Sequence, residues 1–191
     1  METESIFFTA DTHFYHENII KYCNRQFDSL DDMNGELIKR WNRKIGRNET
    51  VYIIGDFMLP WMFKSEEKAF YRLVWLCGTL NGRKVLILGN HDYYKPREYL
   101  EAGIESVHTS LELNLDGLGR TVLVHDPCVA TCELFKATWL VGHVHTVFKY
   151  IPERRVFNVG VDQHDYAPVS LPDIVAEIGK RGDKSMEQAQ I

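Results

Sequence analysis

Five short apolar runs in this chain each stop on a residue able to hold a metal, and this regularity constrains the fold more than any other feature. Ile6-Phe7-Phe8-Thr9-Ala10 runs into Asp11-Thr12-His13, and Val51-Tyr52-Ile53-Ile54-Gly55 runs into Asp56. Lys84-Val85-Leu86-Ile87-Leu88-Gly89 runs into Asn90-His91-Asp92, Thr121-Val122-Leu123-Val124 into His125, and Trp139-Leu140-Val141-Gly142 into His143-Val144-His145. Runs of this length, rich in β-branched and aromatic residues and bounded by polar turns, read as fully buried strands. Ligands collect outside the carboxyl ends of such strands, so the polar residues there are candidates for one shared site.

Between the early strands the periodicity becomes helical. Met33, Leu37, Ile38, Trp41 and Ile45 recur at the spacing of one helix face, with Asp28 or Ser29 placed as the cap. Ser65 caps a second predicted helix whose inner stripe is Ala69, Phe70, Leu73, Val74 and Leu76-Cys77, and Gly78 is its expected stop. Strand, helix, strand, helix, strand through residue 88 is a βαβ pattern. Beyond residue 105 the pattern changes. Leu111, Leu113 and Leu115 alternate with Glu112 and Asn114, Asp116-Gly117 supplies a hairpin turn, and 147–150 and 155–159 continue as short strands. This half reads as a meander building a second sheet. A short helix over 172–179 closes a single domain spanning 1–179, and 180–191 reads as a polar, fraying tail.

Composition agrees with an enzyme-sized globular domain. The 191 residues are 45% hydrophobic, enough for a core without disulfides or a structural metal. A net charge of −5 argues against a protein that coats duplex nucleic acid. Four cysteines are too few for a disulfide scaffold, and Cys128-x3-Cys132 without a second pair reads as buried or idle thiols rather than a zinc site. No run reaches the length of a transmembrane helix, and a strand so near Met1 leaves no room for a signal peptide, so a cytoplasmic setting is expected.

Of eight histidines, His13, His91, His125, His143 and His145 stand at or just after strand ends, beside Asp11, Asp56 and Asn90. In D-x-H and H-x-H an extended segment points both side chains to one side. Imidazole and carboxylate together suit zinc, manganese or iron better than calcium. The candidates outnumber the four ligands of one tetrahedral site, which favours two ions with a shared bridge.

Taken in order, Asp11-x-His13, Gly55-Asp56, Gly89-Asn90-His91-Asp92, His125 and Gly142-His143-x-His145 resemble the calcineurin-like metallophosphoesterase superfamily, and Asn158-Val159-Gly160-Val161-Asp162 resembles a stretch common in its small members. The resemblance implies an α/β (α+β) fold, the αββα four-layer sandwich of two mixed β-sheets flanked by helices. It places Asp11, His13 and His145 on a first divalent transition-metal ion, Asn90, His125 and His143 on a second, and Asp56 between them. Manganese, iron or zinc would serve, with manganese the choice in vitro. In such a centre two ions hold a water as hydroxide, bind phosphoryl oxygens and leave an excess of about +2 against Asp11 and Asp56. His91 takes the role of acid for the leaving oxygen, with Asp92 beside it to hydrogen-bond it or raise its pKa.

His16 and Arg25 follow the first motif where the chain passes the mouth of the site, and are the expected substrate-binding residues. Arg25 either forks onto a phosphate or makes a surface salt bridge. Phe14, Tyr15, Tyr22, Phe57, Trp61, Tyr93 and Tyr94 offer surfaces on which a base could stack, and Asp162 and His164 are candidates to support a ligand from behind. The expected substrate is a small-molecule phosphoester or nucleotide, hydrolysed as a diester or monoester. The alternatives are a protein phosphatase or nuclease of the same fold, or a binding protein that has kept the fold without turnover.

Overall fold

The computed structural model describes residues 5–130 and 137–188. Strands β1 (Ile6–Thr9), β2 (Thr50–Ile54), β3 (Arg83–Ile87) and β4 (Ser106–His108) run parallel and adjacent. Helices α1 (Glu17–Tyr22), α2 (Leu30–Lys44), α3 (Glu66–Thr79) and α4 (Pro96–Glu101) fill the crossovers between them. Ser29, rather than Asp28, caps α2: its hydroxyl accepts the Asp32 N–H at 3.1 Å. Ser65 does the same for α3 with the Lys68 N–H at 3.3 Å, and α3 continues past Gly78 to Thr79, with Leu80 as its C-cap.

The first sheet alternates its faces residue by residue, as a pleated strand must. Phe7, Val51, Ile53 and Leu86 pack against Met33, Leu37 and Trp41 of α2 and Ala69, Leu73, Leu76 and Cys77 of α3. Val74 is exposed, since the residue after Leu73 lies a hundred degrees further round the helix. Phe8, Ile54, Val85 and Ile87 point the other way, against Leu123, Leu140 and Phe157 of a second sheet. Burying each such side chain contributes roughly 1.5–3 kcal/mol, which fixes how the two sheets face one another.

The second sheet has the order β5 (Leu111–Leu115), β6 (Gly119–Leu123), β7 (Thr138–Val141), β9 (Val156–Asn158) and β8 (Tyr150–Ile151). It is not a meander. Only β5–β6 and β8–β9 are antiparallel hairpins, whereas β6, β7 and β9 run parallel. Parallel pairing carries the ends of all three to the same edge of the sheet. Residues 147–149 are not strand, because the loop after His145 occupies them, and β8 begins only at Tyr150. Strand β10 (Val169–Ser170) pairs antiparallel with β1, so both sheets are mixed.

The closing helix α5 (Leu171–Gln188) is longer than the sequence suggests, and Ile174 near its start enters the core between the sheets. The fold is the expected α/β sandwich of two mixed sheets with helices. No helix among the described residues is long and apolar enough to cross a membrane. Cys23, Cys77 and Cys128 are free thiols, and Cys132 lies outside the described residues.

Candidate metal centre

The turns that leave the strands are built from left-handed backbone. Asp11, His13, Asp56, His143 and His145 all have positive φ, between 43° and 70°. Side chains with a Cβ adopt this region at a cost, and such residues persist only where surrounding contacts over-determine them. The D-x-H and H-x-H segments are therefore not extended, and their shared direction comes from paired left-handed turns. Hydrogen bonds between the turns fix this geometry: the Asp11 N–H donates to Gly55 O, the His13 N–H to Asp56 O and the Phe14 N–H to Phe57 O, each at 3.0 Å. The His143 N–H donates to both oxygens of Asp11 at 3.0 Å, joining the second sheet to the first.

Asp92 is the brace of this arrangement. Its carboxylate accepts the N–H groups of Gly89 (2.8 Å), Asp56 (2.9 Å) and Phe57 (3.0 Å), and the Tyr99 hydroxyl at 3.3 Å. It therefore spends its oxygens on backbone rather than on His91, contrary to the catalytic role expected of it. Two glycines are required by this packing. A Cβ on Gly89 would stand 2.3 Å from Asp56 Oδ1, and one on Gly55, whose φ is +82°, would stand 2.3 Å from His125 Nδ1.

On this scaffold the seven candidate ligands converge. Asp11, His13 and His145 place one donor atom each within 4.8 Å of one another, as do Asp11, Asp56 and His125. Asp56 Oδ2 lies 3.5 Å from His13 Nε2 and 3.4 Å from His125 Nε2, so one oxygen stands near both imidazoles. Asn90 Oδ1 draws the remaining pair together, at 3.1 Å from His125 Nε2 and 2.9 Å from His143 Nδ1. His13 Nε2 is buried and has no hydrogen-bond partner. A buried polar atom left in this way is costly unless something binds it. A metal ion fits, since neutral imidazole nitrogen and carboxylate oxygen are transition-metal donors.

The electrostatics agree. Burial drives the His13 pKa down to about 2, leaving its ring neutral with a free lone pair, and burial lifts Asp11 to about 6. Burial also works against protonation of His125 and His145, yet their carboxylate partners prevail and raise them to about 9 and about 10. The pocket collects positive charge to offset Asp11 and Asp56, the service a bound cation performs.

Two ligands are held from behind. The His125 Nδ1 faces Ile54 O at 2.9 Å, and His145 Nδ1 faces Asp162 Oδ2 at 2.9 Å, so in each ring Nε2 is the nitrogen left to serve as a metal ligand. Arg25 departs from expectation. It is buried, and its guanidinium bonds Asp162 at 2.8 and 2.9 Å and the carbonyls of Asp11 and Thr12 at 2.7 and 3.0 Å, facing inward rather than toward the mouth. His16 does reach the site, its Nδ1 3.3 Å from His13 Nδ1. His91 donates its N–H to Asp56 Oδ1 at 2.9 Å, and its ring centroid lies 5.6 Å from that of His13. His13, His16, His91, His143 and His145 line one open cavity of about 650 Å³.

Sequence reasoning missed Asn158 as a determinant. Its buried amide donates to the carbonyls of His145 (2.9 Å) and Phe148 (3.0 Å) and so shapes the loop after β7. A polar amide interrupting the apolar run 156–159 was the available signal.

Comparison with known proteins agrees with this geometry. A curated relative from Methanocaldococcus jannaschii, described as uncharacterized, is 34% identical over 187 residues covering 95% of both chains. The gene 66 protein of Mycobacterium phage D29 is 28% identical and covers 86% of this chain and 92% of its own. A crystal structure of an Aquifex aeolicus protein of unknown function superposes with a TM-score of 0.66 at 25% identity, covering 90% of this chain and 98% of that one. The sequence profile of the calcineurin-like phosphoesterases matches residues 5–127, which takes in the turns bearing Asp11, Asp56, Asn90 and His125. With well over half its length matched, the chain belongs to the calcineurin-like phosphoesterase family.

Proposed function

We propose that this protein is a two-metal phosphoester hydrolase acting on small-molecule or nucleotide phosphoesters. The observation that carries the reading is the position of Asp56 Oδ2, within 3.5 Å of two imidazole nitrogens, one of them buried without a hydrogen-bond partner. In this reading Asp11, His13 and His145 would hold one ion and Asn90, His125 and His143 the other, with Asp56 shared between the two sets. When bound, two such ions supply Lewis acidity toward phosphoryl oxygens and lower the pKa of water.

The chain's own residues do the rest. Asp92 and Arg25 hold the turns so that the ligands need not reorganise when substrate arrives. His91, fixed through its backbone bond to Asp56 and with its ring in the cavity, donates the proton to the leaving oxygen. His16, beside His13, orients the phosphoryl group. Asn90 contributes a neutral oxygen and so preserves the positive excess that attracts an anion into an acidic protein. The test is a manganese-supplemented screen of phosphomonoesters, phosphodiesters and nucleotides. Turnover that EDTA abolishes and manganese restores is expected, and activity surviving exhaustive chelation would contradict the reading.

A further inference from the structure

The aromatic residues that follow the strand ends divide into two groups. Phe14 and Phe57 are wholly buried and Tyr94 nearly so, and they belong to the core. Trp61 and Tyr22 are 55% and 73% exposed, and both line the cavity that holds the histidines. A half-exposed indole at the lip of a site is a candidate contact for a ligand.

Ring contacts connect this lip to the proposed centre. Tyr22 lies 6.1 Å from His16, His16 5.2 Å from His13, His13 5.6 Å from His91, and His91 6.2 Å from Trp61, all between ring centroids. Trp61 is thus an exposed aromatic next to the proposed proton donor, the side on which the hydrolase reading puts the leaving group. It also forms the wall between the histidine cavity and a second one of about 230 Å³, shared with Phe63, Glu66, Tyr93 and Tyr94. Tyr93 stands 6.1 Å from Trp61, nearly perpendicular to it at 89°.

Charge narrows the substrate further. No lysine or arginine occurs among the described residues lining the histidine cavity. A substrate with several phosphates would find no lysine or arginine there, whereas one phosphoryl group needs only the proposed ions.

We infer that Trp61 is a specificity-determining residue that stacks the planar base carried by a nucleoside-type leaving group, on a substrate presenting a single phosphoryl group. The inference rests on the hydrolase reading for the position of the phosphoryl group. It adds a preference that neither the fold nor the metal ligands require. Stacking of a base on an aromatic side chain contributes about 1–3 kcal/mol, or about 5- to 150-fold in affinity.

The experiment uses manganese-loaded full-length protein and calorimetry with two phosphonates that resist hydrolysis, the analogues of adenosine 5′-monophosphate and of ribose 5-phosphate. The nucleoside analogue is expected to bind about 5- to 150-fold tighter. In Trp61→Ala that ratio falls to near one, in Trp61→Phe most of it survives, and affinity for inorganic phosphate is the same in all three. A wild-type ratio near one, or a ratio that Trp61→Ala leaves intact, overturns the inference. Inorganic phosphate binding without a nucleoside preference would sink the stacking and spare the hydrolase reading. A preference that Trp61→Ala removes, in a protein that turns over no phosphoester, would do the reverse.

Discussion

Asp56 and Asp11 are both buried carboxylates at strand ends, yet their surroundings assign them different work. Asp56 presents Oδ2 to two imidazoles while Oδ1 is tied to the His91 N–H. Asp11 has both oxygens on the His143 N–H, and in the proposed reading it serves the ion of His13 and His145. Asp56→Asn is therefore expected to weaken both ions together, and Asp11→Asn chiefly one, as read by metal titration of each variant. Equal single-ion losses from the two would show that Asp56 does not bridge. His91 belongs to the same scale. As an acid it matters most when the leaving oxygen is strongly basic. His91→Asn should thus cost little with a nitrophenyl ester and roughly 10²–10⁴-fold with an alkyl ester, at unchanged metal content. An equal loss on both substrates would make it a positioning residue instead.

At the scale of elements, strand ends and turns decide what the sequence reveals. The apolar runs and their terminal residues were legible because burial on both faces writes itself as a continuous hydrophobic stretch. The helix faces were legible for the same reason, Met33, Leu37 and Trp41 being buried as their spacing predicts. The left-handed turns were not, since nothing in Asp11-Thr12-His13 distinguishes them from extended chain until the Gly55 and Asp56 carbonyls are seen to hold them. Nor was the parallel course of β6, β7 and β9, which depends on how long connections fold back. Arg25 was misjudged because its partner, Asp162, lies 137 residues away. Removing one side of that buried pair strands the other charge, so Arg25→Gln is expected to destabilise the fold by about 3–5 kcal/mol. Denaturant unfolding measures this, and a loss below about 1 kcal/mol would return Arg25 to the surface role first expected of it.

For the whole molecule, stability should depend on acid in a specific way. His164 donates to the Asn158 carbonyl at 2.8 Å, and burial lowers its pKa from 6.5 to about 4. Between those values the unfolded chain binds the extra proton and the folded chain does not, so stability rises with pH there. The contribution is complete above pH 6.5 and is lost as pH falls toward 4. In chelated protein, His164→Gln should lower the slope of stability against pH in that window. An unchanged slope would mean that His164 is free to charge in the folded state.

The account as a whole turns on two metal ions held by one chain through strand ends from both sheets. Elemental analysis of protein reconstituted with manganese and freed of excess measures this most directly. Close to two ions per chain is the predicted result. One ion or fewer, at saturating manganese and with the fold intact by circular dichroism, would contradict it.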